Sequence, residues 1–229
     1  MTSVGWLTRW LADVPAHDRW LDDGERGVLA ELKFDKRRAD WRLGRFAAKT
    51  AVGIWLGVAA SRVAVVAAPD GAPEALLDGE RAPVALSLSH RAGRALVAVG
   101  EDGAAVGCDL ELIEPRSGAF VDDWLAPAER ALVARAGAHR DLVANLAWTA
   151  KEAAAKVRRE GLRLDVRGAV TEPDGLDSEL AGWRRLAVEW ADGGGRTRGW
   201  WRMEPRWVMA VACEPAPDVP VALRQGAAT

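Results

Sequence analysis

AAVGCDLEL, residues 104–112, is the stretch whose reading decides the fold. Small and apolar residues run as far as Cys108, after which Asp109 and Glu111 alternate with Leu110 and Leu112. Alternation at period two predicts a strand that is buried at its start and carries two acids at its end. Side chains two apart on a strand share a face, so the carboxylates would stand about 7 Å apart along one edge. Acids that close repel each other unless solvent screens them or a cation lies between them. A hard divalent cation such as magnesium, holding a phosphate, suits such oxygen ligands. Taken alone, D-x-E reads more simply as a solvated strand exit.

Upstream lie further strand-like runs, VAVVAA (63–68), VALSLS (84–89) and ALVAVG (95–100), separated by turns containing Gly and Pro. Before them the pattern predicts a helix from Asp35 to Leu56 closed by Gly57, and Asp22, Asp23 and Glu25 mark an earlier helix start. Downstream, Pro127 opens a helix that Gly137 closes. A longer helix is predicted from Arg140 to Arg159, with Gly161 just beyond it, and strands near 183–190, 197–203 and 207–212 follow. Helices then strands, twice over, predict an α+β fold of two similar lobes, each with helices on a small, mostly antiparallel sheet. The expected boundaries are 1–105 for the N-terminal lobe, 106–213 for the C-terminal lobe and 214–229 for a tail. Pro215, Pro217 and Pro220 make that tail an expected irregular strap or frayed end.

The 229 residues suffice for a sizeable core, and 49% apolar with 28% charged residues is ordinary for a globular chain. A net charge of −2 argues against bulk attraction to nucleic acid or an acidic membrane. Cys108 and Cys213 both lie in apolar runs, which predicts buried, reduced thiols in a cytoplasmic protein. The N-terminus lacks the marks of a secretory signal, and no apolar run approaches the ~20 residues that span a bilayer. Most of the twelve tryptophans sit among apolar neighbours and are read as core.

Three more constellations could carry chemistry. In WTAKEAAAK (148–156) the apolar stripe is Val143, Leu146, Ala147, Ala150, Ala154 and Val157, which leaves Trp148, Glu152 and Lys156 on another face. By itself the Glu152–Lys156 spacing is a stabilising i,i+4 pair. In SLSHRAGR (87–94), His90 stands at a strand end beside Ser87, Ser89, Arg91 and Arg94, where a phosphate contact or a structural role both fit. In KRRADWRLGRFAAK (36–49), Arg38, Arg42, Arg45 and Lys49 recur at helical spacing, as a phosphate-binding stripe or a solvated face.

The set SLSH (87–90), VGCDLE (106–111) and WTAKEAAAK (148–156), behind the RR…GRFAAK helix (37–49), resembles the phosphopantetheinyl transferase superfamily in its longer, two-lobed type. The resemblance implies an enzyme that moves the 4′-phosphopantetheine group of coenzyme A onto a serine of an apo acyl or peptidyl carrier protein and releases 3′,5′-ADP. It implies magnesium, or manganese, held by Asp109, Glu111 and Glu152, with Glu152 alternatively the base. It implies Lys151 and Lys156 at the pyrophosphate, and Ser89, His90, Arg45 and one of Arg37 and Arg38 at the nucleotide end. Holding both lobes in one chain implies a monomer. Cys108 and Arg91 depart from the usual aliphatic and small residues at their positions. Arg116, Arg130 and Arg135 are expected to face an acidic carrier. The rival expectation is a homologue that binds coenzyme A or a carrier without transfer.

Overall fold

The computed structural model describes residues 2–160, 165–176 and 182–224. Helices α1 (Asp23–Glu31), α2 (Asp35–Leu56), α3 (Gly118–Trp124), α4 (Pro127–Arg135) and α5 (Arg140–Arg158) alternate with strands in a mixed α+β fold. Strands β1 (Val4–Trp10), β5 (Val84–Arg91) and β6 (Arg94–Glu101) join β12 (Val221–Ala222) in the order β12-β1-β6-β5. Strands β7 (Ala105–Leu112), β8 (Ala169–Pro173), β9 (Arg184–Trp190), β10 (Arg196–Glu204) and β11 (Trp207–Glu214) form a second sheet, β7-β11-β10-β9-β8. A small third sheet holds β2 (Val63–Ala67), β3 (Pro73–Leu77) and β4 (Glu80–Arg81). All pairings within these sheets are antiparallel except β1 with β12.

Period-two alternation lets one strand serve two cores. Along β6, Ala95, Val97 and Val99 pack under α2, while Leu96 and Ala98 turn to the opposite interior. Along β11, Val208, Ala210 and Ala212 pack under α5, while Met209, Val211 and Cys213 meet Leu96 and Ala98 from the other side. The layers are therefore α2, first sheet, second sheet, α5. Both cysteines are free and buried between the sheets, and burial pushes the Cys108 thiol up to about 11 and the Cys213 thiol up to about 12. They are inert packing groups at neutral pH.

Local signals account for the helix ends. Asp22 caps α1 by accepting from Glu25 N at 2.7 Å, and Glu25 returns the bond to Asp22 N at 3.1 Å. Gly57 closes α2 with φ of 68°. Gly137 does not cap α4, which ends on Ala136; it starts a 3₁₀ turn leading into α5. Arg159, at φ 53°, stands at the end of α5, and the expected Gly161 lies outside the described residues.

One arrangement occurs twice. Lys49 of α2 is buried against Glu25 of α1 at 2.5 Å, and Glu25 also accepts the Val65 N–H of β2 at 3.0 Å. Lys151 of α5 is buried against Glu129 of α4 at 2.6 Å, and Glu129 accepts the Thr171 N–H of β8 at 2.8 Å. Each glutamate thus ties a short helix, a long helix and a strand together, with its charge paired and its lone pairs used. The proline-rich segment after β11 returns to the first sheet, where Val221 and Ala222 pair with Gly5 and Trp6.

Candidate active site

Strands β5 and β7 are edge strands of different sheets, and they lie side by side. Without a ladder between them, serine hydroxyls of β5 make the link. Ser87 Oγ accepts the Cys108 N–H at 3.0 Å, and Ser89 Oγ donates to Asp109 Oδ1 at 2.7 Å. On its other face β7 carries α5 at very short range. A Cβ on Gly107 would stand 1.9 Å from the Ala153 carbonyl oxygen, so only glycine permits this approach.

That approach delivers the helix side chains to the strand acids. Lys156 Nζ donates to Asp109 Oδ1 at 2.9 Å and to the Cys108 carbonyl at 2.8 Å. Glu152, one turn earlier, and Lys156 both line a cleft of about 950 Å³ between α5, β5, β7 and the β2–β3 hairpin. Burial and the neighbouring Asp109 carboxylate push Glu152 above its ordinary range, against the pull of Lys156. Burial and Asp109 raise Glu111 in the same way, against Arg116 and Arg91. Burial disfavours the Lys156 charge, but Asp109, with smaller contributions from Cys108 and Glu152, outweighs it and holds the ammonium above the usual lysine range.

Among the described residues, no three His, Cys, Asp or Glu side chains form a ready-made metal cage. Glu111 is engaged by Arg116 at 3.2 Å and by Arg91 at 3.4 Å. The donor set nonetheless suits a hard cation. Asp109 is only 6% exposed, and its Oδ2 is buried with no hydrogen-bond partner. Asp109 and Glu152 set two carboxylates beside the single ammonium of Lys156, and Glu111 adds a third that Arg116 and Arg91 share.

All four residues of this cluster lie in a segment, residues 105–203, that matches the family model of the 4′-phosphopantetheinyl transferase superfamily. The match covers 99 of the 229 residues. No curated protein matches the chain. Among solved structures, the chain is similar to the holo-[acyl-carrier-protein] synthase of Thermotoga maritima, with 22% identity over 52% of this chain and 80% of that one, at a TM-score of 0.35. Arg45, Ser89 and His90 lie outside the segment that matches the transferase superfamily.

The other predicted residues divide by environment. Arg45 lines the cleft, stacks on Trp41 at 4.9 Å, and forms no ion pair among the described residues. Its Nε is buried without a partner, and burial lowers its pKa, partly opposed by Glu25. The rest of the basic stripe is not a free face. Lys49 is the buried partner of Glu25, Arg42 reaches Asp18 at 2.9 Å, and Arg38 donates to the Leu29 carbonyl at 2.7 Å. Arg37 is exposed. Lys151, expected at a pyrophosphate, is fully buried with Glu129 and donates to the Trp124 carbonyl at 3.0 Å, so it does not reach the cleft. Its helix position turns it toward α3 and α4, the side of Ala144 and Ala147. Arg116, expected to face a carrier, is instead tied to Glu111 and to Asn145 Oδ1 at 2.7 Å. Arg130 and Arg135 remain at the surface near α4.

The sequence reading set Trp148 on the face of Glu152 and Lys156 but missed its partner Trp124 and the role of Arg159. Trp148 and Trp124 meet edge to face at 5.4 Å and form an apolar wall beside Glu152, so these two tryptophans line a site rather than fill core. Arg159 bonds Asp70 at 2.8 Å and Glu74 at 3.4 Å, which clasps the end of α5 to the β2–β3 hairpin across the cleft. The Trp124–Trp148 contact has no sequence signal, because helices α3 and α5 bring the rings together from distant positions.

Proposed function

We propose that this protein transfers the 4′-phosphopantetheine group of coenzyme A to a serine hydroxyl of an apo carrier protein, releases 3′,5′-ADP and requires a divalent cation. The observation that carries the reading is the convergence of Asp109, with its orphaned oxygen, on Lys156 and Glu152, which line the cleft. Asp109 and Glu111, with Glu152 as third ligand in the alternative to its role as base, would hold magnesium or manganese, which would neutralise the pyrophosphate and the charge that develops on the leaving 3′,5′-ADP. Lys156, fixed by two hydrogen bonds and 32% exposed, adds positive charge from the protein side. Glu152, with its raised proton affinity, accepts the proton of the attacking serine. Arg45 and exposed Arg37 supply the cations for the nucleotide end, and exposed His90 a hydrogen-bonding group. The lobes 1–105 and 106–213 are proposed as the two walls of the cleft, supported by the recurring Lys–Glu tie in each. Among the described residues no helix is long and apolar enough to cross a membrane, and two buried free thiols favour a reducing, cytoplasmic setting for a monomer.

Incubation with coenzyme A and a panel of apo fatty-acid, polyketide and nonribosomal-peptide carriers should add the mass of one phosphopantetheine to at least one of them. Excess chelator should abolish that gain, and magnesium or manganese should restore it. Coenzyme A binding with no mass gain on any carrier would favour the rival, a binding homologue. Undiminished transfer in chelator would remove the metal assignment.

Arg45 carries a separate prediction. Dephospho-coenzyme A should bind more weakly than coenzyme A, and Arg45→Ala should shrink that preference by about tenfold, the worth of one charge-assisted contact of ~1.5 kcal/mol. The magnesium requirement should stay as in the parent. Equal affinities for the two ligands in the parent would show that Arg45 does not hold the 3′-phosphate.

A further inference from the structure

The alternation of β5 separates Ser89 from His90. Leu88 and His90 point to α2, where a Cβ on Gly44 would meet Leu88 Cδ1 at 3.5 Å and His90 Cδ2 at 3.9 Å. Ser87 and Ser89 leave the strand on the opposite face, toward β7. One phosphate group therefore does not meet both members of the Ser-His pair. We propose that Ser89 is a positioning residue for Asp109, whose hydroxyl, together with Lys156, turns the second oxygen of that carboxylate toward a divalent cation. This rests on the cation site proposed above.

The geometry is specific. Ser89 Oγ at 2.7 Å and Lys156 Nζ at 2.9 Å both donate to Oδ1. Two donors on one oxygen, arriving from different elements, fix the plane of the carboxylate. Oδ2 is then left buried and unpartnered, which is unfavourable for an acid in a protein interior unless something positive completes it. A hydroxyl or amide that orients a liganding carboxylate tunes metal affinity without touching the metal. Ser87, two residues earlier on the same face, bonds Cys108 rather than Asp109 and so supports the strand without orienting the acid.

The experiment titrates the full chain with Mn²⁺ alone, following the free-ion electron paramagnetic resonance signal, for the parent, Ser89→Ala, Ser89→Thr and Ser87→Ala. Ser89→Ala should weaken Mn²⁺ binding ~10-fold or more. Ser89→Thr keeps the hydroxyl and should stay within about threefold of the parent, as should Ser87→Ala, which controls for loosening of β5. The ratio of coenzyme A to dephospho-coenzyme A affinities should be unchanged in Ser89→Ala. Parent-like Mn²⁺ affinity in Ser89→Ala overturns the proposal, and a collapsed ligand ratio at that affinity would hand Ser89 to the nucleotide. Equal weakening by Ser87→Ala also overturns it, because strand support would then explain the loss. A parent that binds no Mn²⁺ removes the cation site itself, an outcome distinct from a parent that binds and a Ser89→Ala protein that binds equally well.

Discussion

Glu152→Gln should lower phosphopantetheine transfer by ~10²-fold or more while leaving coenzyme A and metal binding close to normal. Glutamine keeps the shape and one coordinating oxygen but accepts no proton near neutrality. The parent should lose activity on the acid side at a pH above the ordinary glutamate range, because burial and Asp109 raise Glu152 and a base works only when deprotonated. The same shift has a stability consequence. A carboxyl whose folded pKa is raised contributes stability below its unfolded pKa and loses it as pH rises through the folded one. In chelator near pH 7, Glu152→Gln should therefore melt higher than the parent, and the difference should vanish on acidification toward pH 4. If Glu152 serves chiefly as a ligand, the metal requirement should rise and added metal should recover most of the rate. Lys156→Ala should instead weaken coenzyme A binding and rate together. Near-normal transfer by folded Glu152→Gln at ordinary magnesium would defeat both roles and leave an i,i+4 surface pair.

The second large effect is expected far from any charge. Gly107→Ala would place a methyl 1.9 Å from the Ala153 carbonyl oxygen and 3.0 Å from the Val157 nitrogen, both backbone atoms of α5. No rotamer change relieves a clash with backbone, so α5 must lift from β7. Overpacking of this kind costs ~3 kcal/mol or more, which lowers the melting temperature by about 6–12 °C in a chain of this size. Because α5 carries Glu152 and Lys156, a displacement near 1 Å should cut transfer by ~10²-fold even in the folded fraction. Gly27→Ala is the matched control: nothing lies within 4 Å of its added methyl, and α1 should gain ~0.5–1 kcal/mol. A Gly107→Ala protein that melts and reacts like the parent would show that the helix–strand distance does not matter.

The strands flanking the acids were legible because both faces of β6 and β11 are buried, so apolar runs without polar interruption mark them. Strand β1 was not recognised, although it pairs with β6 along its whole length. VGWLTRW divides its residues between two cores, Val4 on one side and Leu7 on the other, and its polar Thr8 and Arg9 mask the pattern. The basic stripe was read from helical spacing alone, which places residues on a face but says nothing of what covers it. Lys49 fell under the Glu25 tie and Arg45 into the cleft, although they stand four residues apart.

From the sequence alone came the α+β class, most strands and long helices, the caps of α1 and α2, and the D-x-E and W-x-x-K-E-x-x-x-K residues. Local periodicity and capping chemistry act within a few residues, so they survive in a linear reading. Only the tertiary structure decided which charges are available. Lys151 and Lys156 stand five residues apart on one helix, yet one is sealed against Glu129 and the other meets Asp109 at the cleft. That difference arises from α4 on one side of α5 and β7 on the other, contacts between segments tens of residues apart that no local pattern encodes.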